Sequence, residues 1–318
     1  MHIVTGGAGF IGSNLVHALN RRGIRDIVIV DDLGQGDKLL NLNSLEFADI
    51  VDVRKVEGLI ASLRGARIDA VLHQGACSDT TESDGRFMME TNFESSKSWF
   101  QFCAGRCPFL YASSAATYGM GSAGFVESPG CEWPLNVYGF SKLAFDNWVR
   151  ARLASSTTPV VGLRYFNVYG PQENHKGRMA SLVYKLHGQA ARGEALTLFE
   201  GSKDFLRDFI CVEDVVDVNL FFLDHPSARG IFNCGSGRAE SFEQLARATA
   251  GHFSNSRVVE VPFPADLRGK YQAFTRADLT ALRRAGYQRE FTSLEEGVRR
   301  YVDVLNSSGG YLRAPAKA

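Results

Sequence analysis

The chain has 318 residues, 35 Lys+Arg against 35 Asp+Glu, and 45% apolar residues. A length that predicts about two domains can bury a large core without disulfide staples, and the balanced charge excludes a broad basic field for nucleic acid or an acidic membrane surface. The N-terminus shows no secretory pattern, no run of about 18 apolar residues could span a bilayer, and the six Cys and seven His show no metal-binding spacing, so a cytoplasmic protein with reduced thiols and no metal is expected.

In chain order, apolar runs at Ile3–Thr5, Ile27–Val30, Ala70–Gln74, Phe109–Ala112 and Val160–Tyr165 read as strands. Amphipathic patterns at Ile11–Arg21, Thr91–Ala104 and Tyr138–Leu153 read as helices between them. Near-continuous apolar strands alternating with helices predict an α/β fold, a Rossmann-type doubly wound parallel sheet. After Gly170 the alternation weakens, and residues 171–205 are polar with Gly177, Gly188, Gly193 and Gly201. Asp208–Val212 and Gly230–Asn233 return to a strand pattern around a helix near Asp214–Leu223. The expected division is a Rossmann domain over 1–169, re-entered at about 206–238. A smaller, mixed α/β substrate domain takes 170–205 and 239–318, over the carboxyl ends of the strands.

Gly6-Gly7-Ala8-Gly9-Phe10-Ile11-Gly12 follows the first strand and opens the first helix. Glycines at Gly6, Gly9 and Gly12 let backbone amides approach a pyrophosphate at a helix N-terminus. Asp31 ends the second strand, 19 residues past Gly12, where a carboxylate hydrogen-bonds an adenosine ribose. Lys38, with Arg54 and Lys55 nearby, offers charge for a 2′-phosphate, and Asp52 lies within reach of the adenine. Gln74-Gly75-Ala76 closes the next strand with small residues that let a dinucleotide cross the strand ends.

Tyr138 and Lys142 form a Y-x-x-x-K pair at the start of a helix, on one face. An ammonium beside the phenol is expected to lower its pKa, making Tyr138 a proton donor or acceptor for alcohol–ketone redox chemistry. Ser114 is placed to hold the reacting oxygen, whereas Ser113 reads as a cap for the next segment. The stretch Ser114–Tyr118 contains no carboxylate, which disfavours a dehydratase. Lys176, Arg178, Lys185, Arg192, Lys203 and Arg207 suit a diphosphate, and Arg207, between Leu206 and Phe209, reads as a partly buried guanidinium with an anionic partner.

The segments VTGGAGFIGSN, GACSDTTESDGRFMMETN, FLYASSAATYG, PLNVYGFSK, RYFNVYGPQENHKGRMAS, RDFICVEDVVDVN and YQAFTRADLTALRRAGY span residue 1 to about 305. They resemble the extended short-chain dehydrogenase/reductases and, within these, the ADP-L-glycero-D-manno-heptose 6-epimerases. The resemblance implies inversion of C6″ of an ADP-activated heptose by transient oxidation, in lipopolysaccharide inner-core synthesis. It implies one tightly bound NADP per subunit, held by Gly6, Gly9, Phe10, Ile11, Gly12, Asp31, Asp32, Lys38, Gln74, Gly75, Ala76, Cys77, Ser78, Thr91, Tyr138, Lys142, Val168 and Lys176. It assigns the sugar nucleotide to Asn167, Phe199, Glu200, Gly201, Ser202, Arg207 and Tyr271, to which Ser114, as a hydroxyl, and Arg178 and Lys185, as cations suited to a diphosphate, are added from their own chemistry. Catalysis falls to Tyr138 and Lys176, supported by Ser114 and Lys142, in a homo-oligomer expected to be a pentamer. Asp32, Val53, Gln74 and Thr91 stand where the family pattern has Asn, Lys, Glu and Asn, and Arg178 and Lys185 stand where it has Ser and His. A UDP-hexose 4-epimerase, or another nucleotide-sugar epimerase or dehydratase, is the alternative reading. A cofactor-binding regulator ranks last, because Ser114, Tyr138 and Lys142 are kept together.

Overall fold

The computed structural model describes residues 1–34, 36–254, 256–264 and 272–313. Its central sheet has seven strands: β1 (His2–Thr5), β2 (Ile27–Asp31), β3 (Asp49–Asp52), β4 (Ala70–His73), β5 (Phe109–Ser114), β6 (Val160–Tyr165) and β7 (Gly230–Cys234). The order is β7-β6-β5-β4-β1-β2-β3, with every pair parallel. Strand order reverses between β1 and β4, the point at which open α/β sheets bind ligands beyond their carboxyl ends.

The helices used below are α1 (Phe10–Arg21), α2 (Ser95–Cys103), α3 (Val137–Leu153), α4 (Leu182–Ala191), α5 (Val212–Asp224), α6 (Phe242–Ala250) and α7 (Leu294–Ser308). Successive strand residues alternate between the two sheet faces. Val4, Ile29, Leu72, Leu110 and Leu163 pack with Leu15 of α1 and Val215 of α5. Ile3, Val28, Val71, Phe109 and Tyr111 pack on the other face with Trp99 of α2 and Phe145 of α3. Helical cover on both faces is why the strands read as unbroken apolar runs. A third apolar cluster joins Val183 of α4, Leu245 of α6 and Val298 of α7 to Leu196, Leu198 and Phe209.

Two expected elements differ. The strand expected over Asp208–Val212 is Phe209–Cys211, which pairs with Asn167–Tyr169 instead of joining the main sheet, and Val212 already begins α5. The helix expected from Thr91 starts at Gly85, where the Asp84 side chain accepts from the Phe87 amide at 3.0 Å. It passes through a π-turn over Met89–Glu94 before continuing as α2. That turn directs Asn92 onto the loop after β4, where its side chain bonds both the amide (2.8 Å) and the carbonyl (3.0 Å) of Cys77.

Candidate active site

β1 leaves the sheet at Thr5 and turns at Gly6, whose φ of 65° lies in the left-handed region. A Cβ there would stand 2.7 Å from the Gly75 amide nitrogen, and one at Gly12 would stand 2.1 Å from the Gly6 carbonyl oxygen. The loops after β1 and β4 therefore touch backbone to backbone. α1 begins after Gly9 with no side chain capping it. Its partial positive charge faces the cradle, and the residues present fit a dinucleotide pyrophosphate. Beside it, the Gln74 side-chain oxygen Oε1 accepts from the Tyr165 hydroxyl at 3.0 Å, while its buried side-chain nitrogen Nε2 has no hydrogen-bond partner among the described residues.

At the carboxyl end of β2, Asp31 accepts from the Ala8 amide (2.8 Å), the Asp32 amide (2.8 Å) and the Lys38 ammonium (2.6 Å). Arg54 makes a two-pronged bond to Asp52 at 2.8 and 2.9 Å. Lys38 and Arg54, two of the three cations read from the sequence as phosphate ligands, thus carry carboxylate partners within the chain. Behind this loop, His73 bridges Thr5 Oγ1 (2.7 Å) and Ser96 Oγ (2.9 Å), and Thr5 Oγ1 accepts from the Gly75 amide (3.0 Å). Burial pushes His73 down to about 3, so it is a neutral strut. The sequence offered no signal for it, because its partners come from two other elements.

β5 brings Ser114 to the carboxyl edge of the sheet. Asn136 caps α3 by accepting from the Gly139 amide at 2.8 Å, which sets Tyr138 in the first turn and Lys142 one turn later. Ser114 lies beside the Tyr138 phenol and favours its ionised form, but burial dominates and raises the phenol's pKa. Burial thus outweighs the acidification expected from Lys142, and the phenol's pKa is raised instead of lowered. The ammonium donates to the Ala112 carbonyl at 2.9 Å and lies 6.0 Å from the Tyr138 ring centre. Burial lowers Lys142 to about 8, opposed by Asp146. The cap expected of Ser113 is made by Ser114. Ser114 accepts from the Ala116 amide at 3.1 Å, whereas Ser113 donates to buried Asp146 at 2.8 Å. Adjacent strand residues face opposite sides, and Ser113 faces α3. Asp146, four residues beyond Lys142, was missed, although the same helical spacing that paired Tyr138 with Lys142 points to it.

The loop after Asn167–Tyr169 carries the second group of candidates. Lys176 places its ammonium 4.9 Å over the Phe10 ring, and burial lowers its pKa against the pull of Glu173. Arg178 bonds Asp79 and Thr81, both at 2.6 Å, and Lys185 donates to the Arg178 carbonyl at 2.7 Å. Arg192 pairs with Glu194 at 2.8 Å. Lys176, Arg178, Lys185 and Arg192 are thus distributed among separate partners. Arg207 is 6% exposed, donates to the Leu206 carbonyl at 2.9 Å and to the Gln272 carbonyl, and lies 5.3 Å from the Phe242 ring centre. Asn167 donates to the Asp208 carbonyl at 3.1 Å, and Val168 pairs with Ile210. Phe199 ends a strand paired with Val258–Val261, Glu200 continues that pairing through its amide, Gly201 turns at φ 81°, and Ser202 donates to Glu260 at 2.9 Å. Tyr271 lies outside the described residues. No helix among the described residues is long and apolar enough to cross a membrane, and among them no group of three or more His, Cys, Asp and Glu could hold a metal.

Residues 2–235 match the NAD dependent epimerase/dehydratase family. An ADP-L-glycero-D-manno-heptose-6-epimerase of Brachyspira hyodysenteriae is 49% identical over 317 residues, covering 98% of this chain and 100% of that protein. The crystal structure of the Helicobacter pylori protein of the same name is 28% identical, with a TM-score of 0.83 over 96% of each chain. The Thermus thermophilus UDP-glucose 4-epimerase, solved with NAD, is 27% identical with a TM-score of 0.79 over 97% of this chain and 100% of that one.

Proposed function

The chain belongs to the NAD dependent epimerase/dehydratase family, and from that premise we propose that it converts ADP-D-glycero-β-D-manno-heptose to the L-glycero epimer with NADP as its resident dinucleotide. Full-length likeness to the Brachyspira epimerase carries the choice of substrate. The setting is cytoplasmic lipopolysaccharide inner-core synthesis, and the working form is a homo-oligomer. The sugar nucleotide sits between the carboxyl ends of the strands and the segments 170–205 and 239–318.

When bound, the dinucleotide supplies the hydride acceptor and donor that take C6″ to a ketone and back. The chain's residues do the rest. The Ser114 hydroxyl holds the C6″ oxygen. Tyr138, beside Ser114, exchanges the proton of that oxygen. Its raised pKa leaves the free phenol protonated near neutrality, so it is poised to donate when the ketone is reduced. Lys142, mostly charged at pH 7 with its pKa near 8, favours the phenolate when the proton moves the other way. Inversion presents the carbonyl's opposite face to the hydride. Lys176, partly desolvated against Phe10, handles the proton after the sugar turns.

NADP is favoured over NAD because Lys38 neutralises Asp31 at 2.6 Å, removing the negative charge that would repel a 2′-phosphate. Mass spectrometry of the dinucleotide released on denaturation should find NADP, and recovery of NAD alone would refute that assignment. The activity itself is tested by proton NMR of ADP-D-glycero-β-D-manno-heptose incubated with the protein. Appearance of the C6″ epimer is the expected result. No change there, together with turnover of UDP-glucose, would instead establish the 4-epimerase.

A further inference from the structure

We infer that Asn41 is a positioning residue that seats the Lys176 loop on the dinucleotide loop, so that the cofactor cradle and the second proton-handling group are built as one unit. The part about proton handling rests on the function proposed above; the clasp itself rests on geometry.

Asn41 belongs to the 3-10 turn Gly36–Leu42, the same turn whose Lys38 pairs with Asp31. Its side chain is 1% exposed and projects away from that turn. The amide nitrogen donates to the Ala8 carbonyl of the glycine loop at 2.9 Å and to the Gln172 carbonyl at 3.0 Å. It also lies 3.3 Å from Nδ1 of His175. Three acceptors around one nitrogen fix which end of the amide points there. Burial lowers His175 to about 4, with Lys38 and Lys176 adding to the shift, so its ring is neutral at pH 7 and retains an acceptor. The contact is returned, since Gln172 Nε2 donates to the Asn41 backbone carbonyl at 2.8 Å.

Gln172 has a φ of 76°, a strained conformation that a non-glycine residue rarely holds unless its surroundings enforce it. Asn41 supplies part of that enforcement. The strained turn sets the course of the next four residues, and Lys176 lies at their end, over the Phe10 ring. A single buried amide thus joins the pyrophosphate loop to the backbone that aims Lys176.

The test uses trypsin on the full-length protein carrying its dinucleotide. Trypsin cuts after Lys176 and Arg178, and exposed Arg192 serves as an internal standard for general access. Asn41→Asp keeps the size and removes the donor. It should accelerate cutting at Lys176 and Arg178 at least tenfold relative to Arg192, compared with the wild type at equal dinucleotide content. If this variant does not fold, Asn41→Ala gives the same readout. Cutting at both sites that only keeps pace with Arg192 overturns the inference. The same variant should lose at least tenfold in kcat. Faster cutting with unchanged kcat would uphold the clasp and remove Lys176 from the reaction, a failure of the proposed function instead.

Discussion

Tyr138→Phe is expected to lower kcat by ~10²–10⁴-fold while leaving the fold and the bound dinucleotide in place. The substitution removes only the phenolic oxygen. The Asn136 cap that begins α3 and the Lys142 bond to the Ala112 carbonyl do not involve that atom. What is lost is the proton carrier beside Ser114. Lys176→Met is the companion variant, assayed with each epimer as substrate after cofactor content is checked. If two groups serve the two faces, both variants lose orders of magnitude in epimerisation, and each retains a half-reaction with a suitable aldehyde analogue. Near-normal kcat with a raised KM in Lys176→Met would make that lysine a binding residue and leave Tyr138 to act alone. The wild-type rate should also fall as pH rises through about 8, because Lys142 then loses the charge that favours the phenolate. A rate that stays flat to pH 9 would remove that role from Lys142.

The largest effect on stability is expected at Arg164, which is fully buried at the end of β6. Its guanidinium donates to Asp146 at 2.9 Å and to Glu132 at 2.5 Å, and it lies 4.8 Å from the Tyr118 ring centre. Asp146 also accepts from Tyr111 and Ser113, both at 2.8 Å. Arg164→Met leaves two carboxylates without this counter-charge. Breaking a buried pair from one side costs ~3–5 kcal/mol. Urea denaturation should register that loss as a markedly lower midpoint, and an unchanged midpoint would contradict the network's part in stability. Arg178→Met removes a solvent-exposed pair with Asp79 and should leave the midpoint almost unmoved.

The parts of this molecule that could be read from sequence are those whose physics is local. The glycine loop is a run of adjacent backbone conformations, and Tyr138 with Lys142 is one helical turn. Apolar strands reveal themselves because both sheet faces are covered. Other features depend on contacts between distant segments. Nothing near Asn41 announces that it meets Gln172, 131 residues away, and nothing near His73 announces Ser96. Ser113 and Ser114 are chemically alike, and only the pleat of β5 sends the first to Asp146. The Tyr138 pKa was misjudged because spacing reveals the neighbouring charge but not the depth of burial.

The place of β7 has a consequence for how the protein is made. β7 hydrogen-bonds along β6 from Gly230↔Val161 to Cys234↔Tyr165, although the whole 170–229 segment separates them in the chain. During synthesis from the N-terminus, β5 and β6 are ready to pair long before β7 leaves the ribosome. At ~5–20 residues per second, β6 remains an open edge for roughly 3–15 s. Its free side then displays unpaired amides and carbonyls beside an apolar row, a template on which a second nascent chain could add a strand. Translation speed and chaperone supply therefore bear directly on the yield of active protein, through one strand that carries none of the candidate site residues.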